Sequence, residues 1–154
     1  MAAQNVEKQN SSERSEIRHI VVGVDGSENS VRALRWAAQE AAHHGASLLA
    51  VTAWQQATAG AMPPSAGTPA TRTAELDLSA TTAEGLRETV EAAGVEAETS
   101  VEYGGAANVL IERSAGAELL VVGTRGHGGF VGLLLGSVVQ HVTAHAKCPV
   151  VVVR

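Results

Sequence analysis

Apolar residues recur along this chain in two rhythms. HIVVGVD (19–25), ASLLAVTAW (46–54), AELLVVG (117–123) and CPVVVVR (148–154) are short runs with few polar letters. They have the length and branched side chains of strands covered on both faces. GVEAETSVEY (94–103) alternates instead, as a third strand. Between these runs the apolar spacing changes to three and four. Val31, Leu34, Ala38, Ala41 and Ala42 give one side to a helix that opens at Glu28 behind a Ser27 cap and closes at Gly45. Leu76, Ala80, Ala83, Leu86, Val90 and Ala93 mark a second helix over 73–93, which Gly85 weakens by about 1 kcal/mol. A short helix fits 106–116 and a last one 137–147, and Pro149 opens the final strand where a missing donor is tolerable.

Strand and helix alternating throughout predict one α/β domain over 17–154: a parallel sheet, helices on both faces, right-handed crossovers. Residues 1–16 lack an apolar core segment, so a disordered polar tail is expected there rather than a secretory signal. Residues 55–72 hold three of the four prolines and little that packs, which predicts a flexible loop, disordered or acting as a lid. In an open parallel sheet the ligand lies beyond the carboxyl ends of the strands, where their order reverses. Unusual chemistry follows the first strand (VDGS, 24–27) and the fourth (GTRG, 123–126), so these two are expected to be neighbours at that point.

Composition and charge narrow the ligand. With 45% hydrophobic residues but 3% aromatic, packing must rely on small side chains. Cys148 is the single cysteine, which excludes an internal disulfide and fits a cytoplasmic protein. No apolar run approaches the roughly 20 residues of a membrane span. The net charge of −5 argues against nucleic acid as a partner. Residues 73–102 carry eight carboxylates against Arg87 alone, whereas 121–154 carry none, with Arg125, Lys147 and Arg154 as cations. A polar, glycine-rich segment emptied of acid suits an anion, which a carboxylate would repel.

That segment, VVGTRGHGGFVGLLLGSVVQHV (121–142), runs from strand through six glycines into a helix. Glycine lets backbone N–H groups approach a ligand, and a helix start with a serine adds donors and a favourable dipole. A phosphate cradle is therefore favoured over a merely flexible loop. The Walker pattern is absent, and no G-x-G-x-x-G turn follows the first strand.

Gly123, Gly126, Gly136 and Ser137 fit Gly-x2-Gly-x9-Gly-(Ser/Thr), and with VVGVDGSENSVRALRWAA and KCPVVVV they make residues 18–154 resemble the universal stress protein family, in its ATP-binding branch. The resemblance implies a Rossmann-like five-stranded sheet in the order 3-2-1-4-5, a homodimer through the last strand, and a stress-response sensor or regulator. It implies ATP as ligand; Mg2+ or Mn2+ is expected with it to offset the charge of Asp25, and slow hydrolysis at most. By position, Gly123, Arg125, Gly126, Gly136, Ser137 and Val138 would surround ribose and phosphates, with Val122 and Val139 beside them. Val51 would offer backbone groups to the adenine edge, and Val24, Asp25, Gly26 and Ser27 would line the opposite wall. Arg125 would face a phosphate and His127 has a lesser role. AMP or cyclic AMP, a true nucleotide hydrolase and a nucleotide-free interaction module are the alternatives.

Asp25 has three readings: a hydrogen bond to ribose or amine, a water-mediated hold on the divalent cation, or a turn and capping residue. His141 and His145, spaced i, i+4, have chelating separation but no neighbouring acid or cysteine, and an exposed or half-buried pair is expected. Ser137 and His141 share a helix face without a G-x-S-x-G elbow, so Ser137 is read as an anion donor rather than a nucleophile. Cys148 is read as inert core, and Trp36 and Trp54 as packing residues.

Overall fold

The computed structural model describes residues 19–55, 69–126 and 135–154. The tail, most of the 55–72 loop and His127 lie outside them. Five strands, β1 (His19–Gly23), β2 (Ser47–Trp54), β3 (Glu98–Tyr103), β4 (Leu119–Gly123) and β5 (Val150–Val153), form one parallel sheet in the order β3-β2-β1-β4-β5. Four helices connect them: α1 (Glu28–His44), α2 (Pro69–Ala93), α3 (Ala106–Ser114) and α4 (Ser137–His145). The chain folds back from β3 to β4 across β1, so the reversal of strand order falls between β1 and β4, as the sequence predicts.

Strand alternation divides the core in two. Ile20, Val22, Leu48, Ala50 and Val121 point to the α1 and α2 side, against Ala33, Leu34, Ala37, Leu86 and Val90. Val21, Leu49, Val51, Leu120 and Val122 point to the α3 and α4 side, against Val109, Leu110, Val139 and Val142. Because both faces of β1 and β4 are covered, their sequences carry no polar alternation.

Two helix faces differ from expectation. Helix α1 buries Ser30, Ala33, Leu34, Ala37 and Ala41, while Ala42 is exposed. With alanines on several sides of the helix, spacing left its rotation open and contact with the sheet selected it. Helix α2 begins at Pro69, inside the stretch read as loop, and only Leu86 and Val90 of the predicted stripe are buried; Leu76 is 66% exposed. A helix of this length spans about 37 Å, more than the roughly 26 Å of the longest strand, so its first half overhangs the sheet.

Two buried serines tie connections down. Ser30 Oγ donates to the Ser27 carbonyl (2.9 Å) and accepts from the Asp25 N–H (3.3 Å). Ser114 is fully buried; its Oγ donates to the Ile111 carbonyl (2.6 Å) and accepts the Lys147 N–H (2.8 Å), fastening the end of α3 to the segment that enters β5. Ser114→Ala would leave that N–H without its acceptor, and urea unfolding is expected to show a loss of about 1–3 kcal/mol.

Candidate functional site

The turn after β1 is built from its own side chains. Val24 extends the sheet by one residue: its N–H donates to the Val51 carbonyl (2.9 Å) and its carbonyl accepts from Thr52 Oγ1 (2.6 Å). Asp25 Oδ1 then accepts the Ser27 N–H (2.9 Å). Gly26 sits at φ 80°, a left-handed conformation that favours glycine. Ser27 Oγ accepts the Ser30 N–H (3.2 Å) and caps α1, as expected.

The loop after β4 is pinned at both ends by Thr124. Its N–H donates to the Val153 carbonyl (3.0 Å) and its carbonyl accepts the Gly136 N–H (2.9 Å). The start of α4 is thereby brought back beside the end of β4. Gly136 occupies the N-cap without any side-chain capping bond, so the first-turn N–H groups of α4 have no partner from that position.

The three motif glycines have different surroundings. A Cβ at Gly123 would lie 2.7 Å from both the C and O atoms of Asn29, in the first turn of α1. One at Gly126 would lie 2.2 Å from Asp25 Oδ2. One at Gly136 would meet nothing nearer than Arg125 Cα at 3.5 Å among the described residues, an ordinary contact, and its φ of −71° suits any residue.

A cleft of about 650 Å³ opens between these two connections. Val24, Asp25 and Val51 line one side; Val122, Gly123, Arg125 and Gly126 continue round the end of β4; Gly136, Ser137, Val138 and Val139 complete it from α4. Gly26 and Ser27, expected on the wall, are not among its lining residues, because the turn and the cap engage them with α1. Val51, whose backbone groups were expected at the adenine edge, lines the cleft, and its carbonyl accepts from the Val24 N–H. Ser30, Thr52 and Ala53, and Ala106, Leu110 and Leu135, line it without having been anticipated. Ala106 and Leu110 belong to α3, outside either motif, and carry no sequence signal.

Asp25 and Arg125 are the charged residues among those described in the lining, and both are exposed. The walls are otherwise aliphatic or glycine, with the hydroxyls of Ser30, Thr52 and Ser137. An apolar floor with a helix N-terminus and one guanidinium at its mouth can hold a flat ring attached to an anion. Asp25 acts as the turn residue of one sequence reading through Oδ1, while Oδ2 faces Gly126.

Other candidate chemistry lies away from the cleft. Cys148 is half-buried; burial pushes its thiol up, with a backbone hydrogen bond from Leu120 pulling the other way. The neutral thiol this favours is a poor nucleophile. Trp36 packs against the α1 and α2 side of the core, and Trp54 meets Tyr103 edge-on at 5.0 Å. No group of three or more metal-ligating side chains occurs among the described residues, and no helix among them is long and apolar enough to cross a membrane.

An open parallel sheet with two helices on each face and a cleft at its strand-order reversal defines a doubly wound, Rossmann-like α/β domain. The chain belongs to the universal stress protein family, whose sequence model matches residues 16–154. A universal stress protein of Mycobacterium tuberculosis is 37% identical over 135 residues, covering 88% of this chain and 45% of that protein. One from Mycolicibacterium smegmatis is 38% identical over 136 residues, with 88% and 45% covered. The chain thus spans under half the length of these relatives. Among solved structures, universal stress protein UspA from Lactobacillus plantarum superposes with a TM-score of 0.72 at 23% identity, over 92% of this chain and 100% of that one. A universal stress protein in complex with cAMP gives a TM-score of 0.60 at 31% identity, over 91% and 98%.

Proposed function

We propose that this chain is a cytoplasmic nucleotide sensor of the ATP-binding branch, holding ATP in the cleft between the ends of β1 and β4. The observation that carries the reading is the convergence of Gly126, Gly136 and the uncapped start of α4 on one cleft, within a segment, 121–154, that contains no carboxylate. Phosphates would meet the N–H groups of Ser137 to Val139 and the Arg125 guanidinium. The ring would rest on Val51, Ala53, Leu110 and Val122. Adenine is supported by the cAMP complex of the 31% identical relative.

Asp25 suits a divalent cation. Its Oδ2 lies over Gly126, where a carboxylate beside phosphate is unfavourable without a positive charge between them. Mg2+ or Mn2+, held largely through water, would supply that charge. The same residue is the one carboxylate in the described lining, and Oδ1 is occupied by the Ser27 N–H. Phosphoryl transfer needs a positioned base or water-orienting group besides phosphate clamps, so binding rather than turnover is the proposed activity, with slow hydrolysis at most. The half-buried valines of β5, at a sheet edge, suit pairing with a second copy.

Denaturing freshly purified protein and identifying released nucleotide by mass spectrometry, then titrating the emptied chain with ATP, AMP and cyclic AMP with and without Mg2+, tests the reading. One equivalent of ATP per chain, tightened by Mg2+, is the expected result. Binding of cyclic AMP alone would replace ATP by the cyclic nucleotide. Failure of all three would leave the interaction module.

A further inference from the structure

We propose that His141 and His145 form a two-imidazole site for a borderline transition-metal dication, Cu2+ foremost, on the outer face of α4. Both side chains are exposed, and their rings lie 4.9 Å apart between centroids with 26° between planes. A metal about 2.0–2.1 Å from an imidazole nitrogen stands roughly 3.2 Å from the ring centre, so two such ligands place their centroids about 4.5 Å apart at a right angle and about 5.2 Å at a tetrahedral one. The observed separation falls between these values; the rings are stacked, so the His141 ring turns about χ1 and χ2 to bring its nitrogen to an ion in the plane of the His145 ring.

One of the two rings is already oriented. His145 Nδ1 lies 3.0 Å from the His141 carbonyl oxygen, which can only accept, so Nδ1 carries the proton. In the neutral ring this leaves the Nε2 lone pair free to ligate. A hydrogen bond from the second ring nitrogen to a backbone carbonyl is the usual support of a metal-binding histidine, fixing tautomer and direction. Their i, i+4 spacing sets the two rings side by side on the exposed face of α4, whose buried residues are Val139 and Val142.

The ligand set also selects the ion. No third histidine, cysteine or carboxylate joins the pair among the described residues, so water fills the remaining positions. Residues 121–154 contain no acid, which disfavours Mg2+ and Ca2+, the dications that require oxygen donors. Two imidazoles with open positions suit Cu2+ best and Ni2+ or Zn2+ less well. The site lies on the same helix as the proposed nucleotide cleft but at its opposite end, and does not depend on a nucleotide being bound.

The test is titration of the untagged full chain with Cu2+ at neutral pH, followed by electron paramagnetic resonance and competition with a chelator. One Cu2+ per chain is expected, its spectrum split by two equivalent-type nitrogens. His141→Ala and His145→Ala should each weaken binding at least about tenfold and remove one nitrogen from the spectrum, as loss of one chelating arm requires. Both positions are exposed and alanine favours helix, so circular dichroism should remain that of the parent. His44→Ala, at the other exposed histidine cluster beside Glu40, should leave affinity unchanged. Absence of Cu2+ binding, or binding lost in His44→Ala and retained in the α4 variants, would overturn the proposal.

Discussion

Gly123→Ala is expected to destabilise the fold by about 3 kcal/mol or more in nucleotide-free protein, the upper range for overpacking. The added Cβ would lie 2.7 Å from two backbone atoms of Asn29, and a backbone cannot swing aside as a side chain can. Relief would require α1 to move off the sheet, opening the core that Ala33, Leu34 and Ala37 make with β1 and β4. Against a usual total of about 5–15 kcal/mol this is a large fraction. Urea denaturation of the emptied protein measures it. A parental midpoint, with nucleotide affinity alone reduced, would mean that Gly123 is a glycine for the ligand and not for helix packing.

Gly136→Ala should do the reverse. Its Cβ makes only ordinary contacts, its φ is unexceptional, and alanine in place of a glycine N-cap costs helix stability modestly. Unfolding should therefore change by no more than about 1 kcal/mol, or some 2–4 °C in Tm for a chain of this size. In the proposed complex the methyl group would project where a phosphate approaches the first-turn N–H groups of α4. A loss of ATP affinity of at least about tenfold is expected by calorimetry, equivalent to roughly 1.4 kcal/mol. Unchanged affinity would place the phosphates elsewhere in the cleft. Motif glycines that look alike in the sequence are thus separated by their surroundings into one that packs a helix and one that leaves space for a ligand.

Much of this architecture was legible in the chain. The runs at 19–25 and 117–123 are apolar throughout because β1 and β4 are covered on both faces, so burial wrote their position directly into residue type. Ser27 and Gly45 bound α1 through local chemistry, a hydroxyl cap and a left-handed residue, and both are where the letters place them. Helix phase was less accessible. In α1 nearly every turn offers alanines, and in α2 the apolar spacing runs on past the point where there is any sheet to cover it.

By itself the sequence determined which segments are strands and helices, that the sheet is parallel, and that the ends of β1 and β4 carry the unusual chemistry. These properties depend on near neighbours and on burial, which spacing and composition record. Only the tertiary structure decided that Gly26 and Ser27 are engaged with α1, that the Val51 carbonyl accepts from Val24, and that Ala106 and Leu110 of α3 close the cleft. Those facts concern which distant atoms meet. Ala106 and Leu110 reach the cleft because the crossover from β3 passes over β2 and β1 to reach β4, and an alanine or leucine on a helix reads the same whether it faces a core or a ligand.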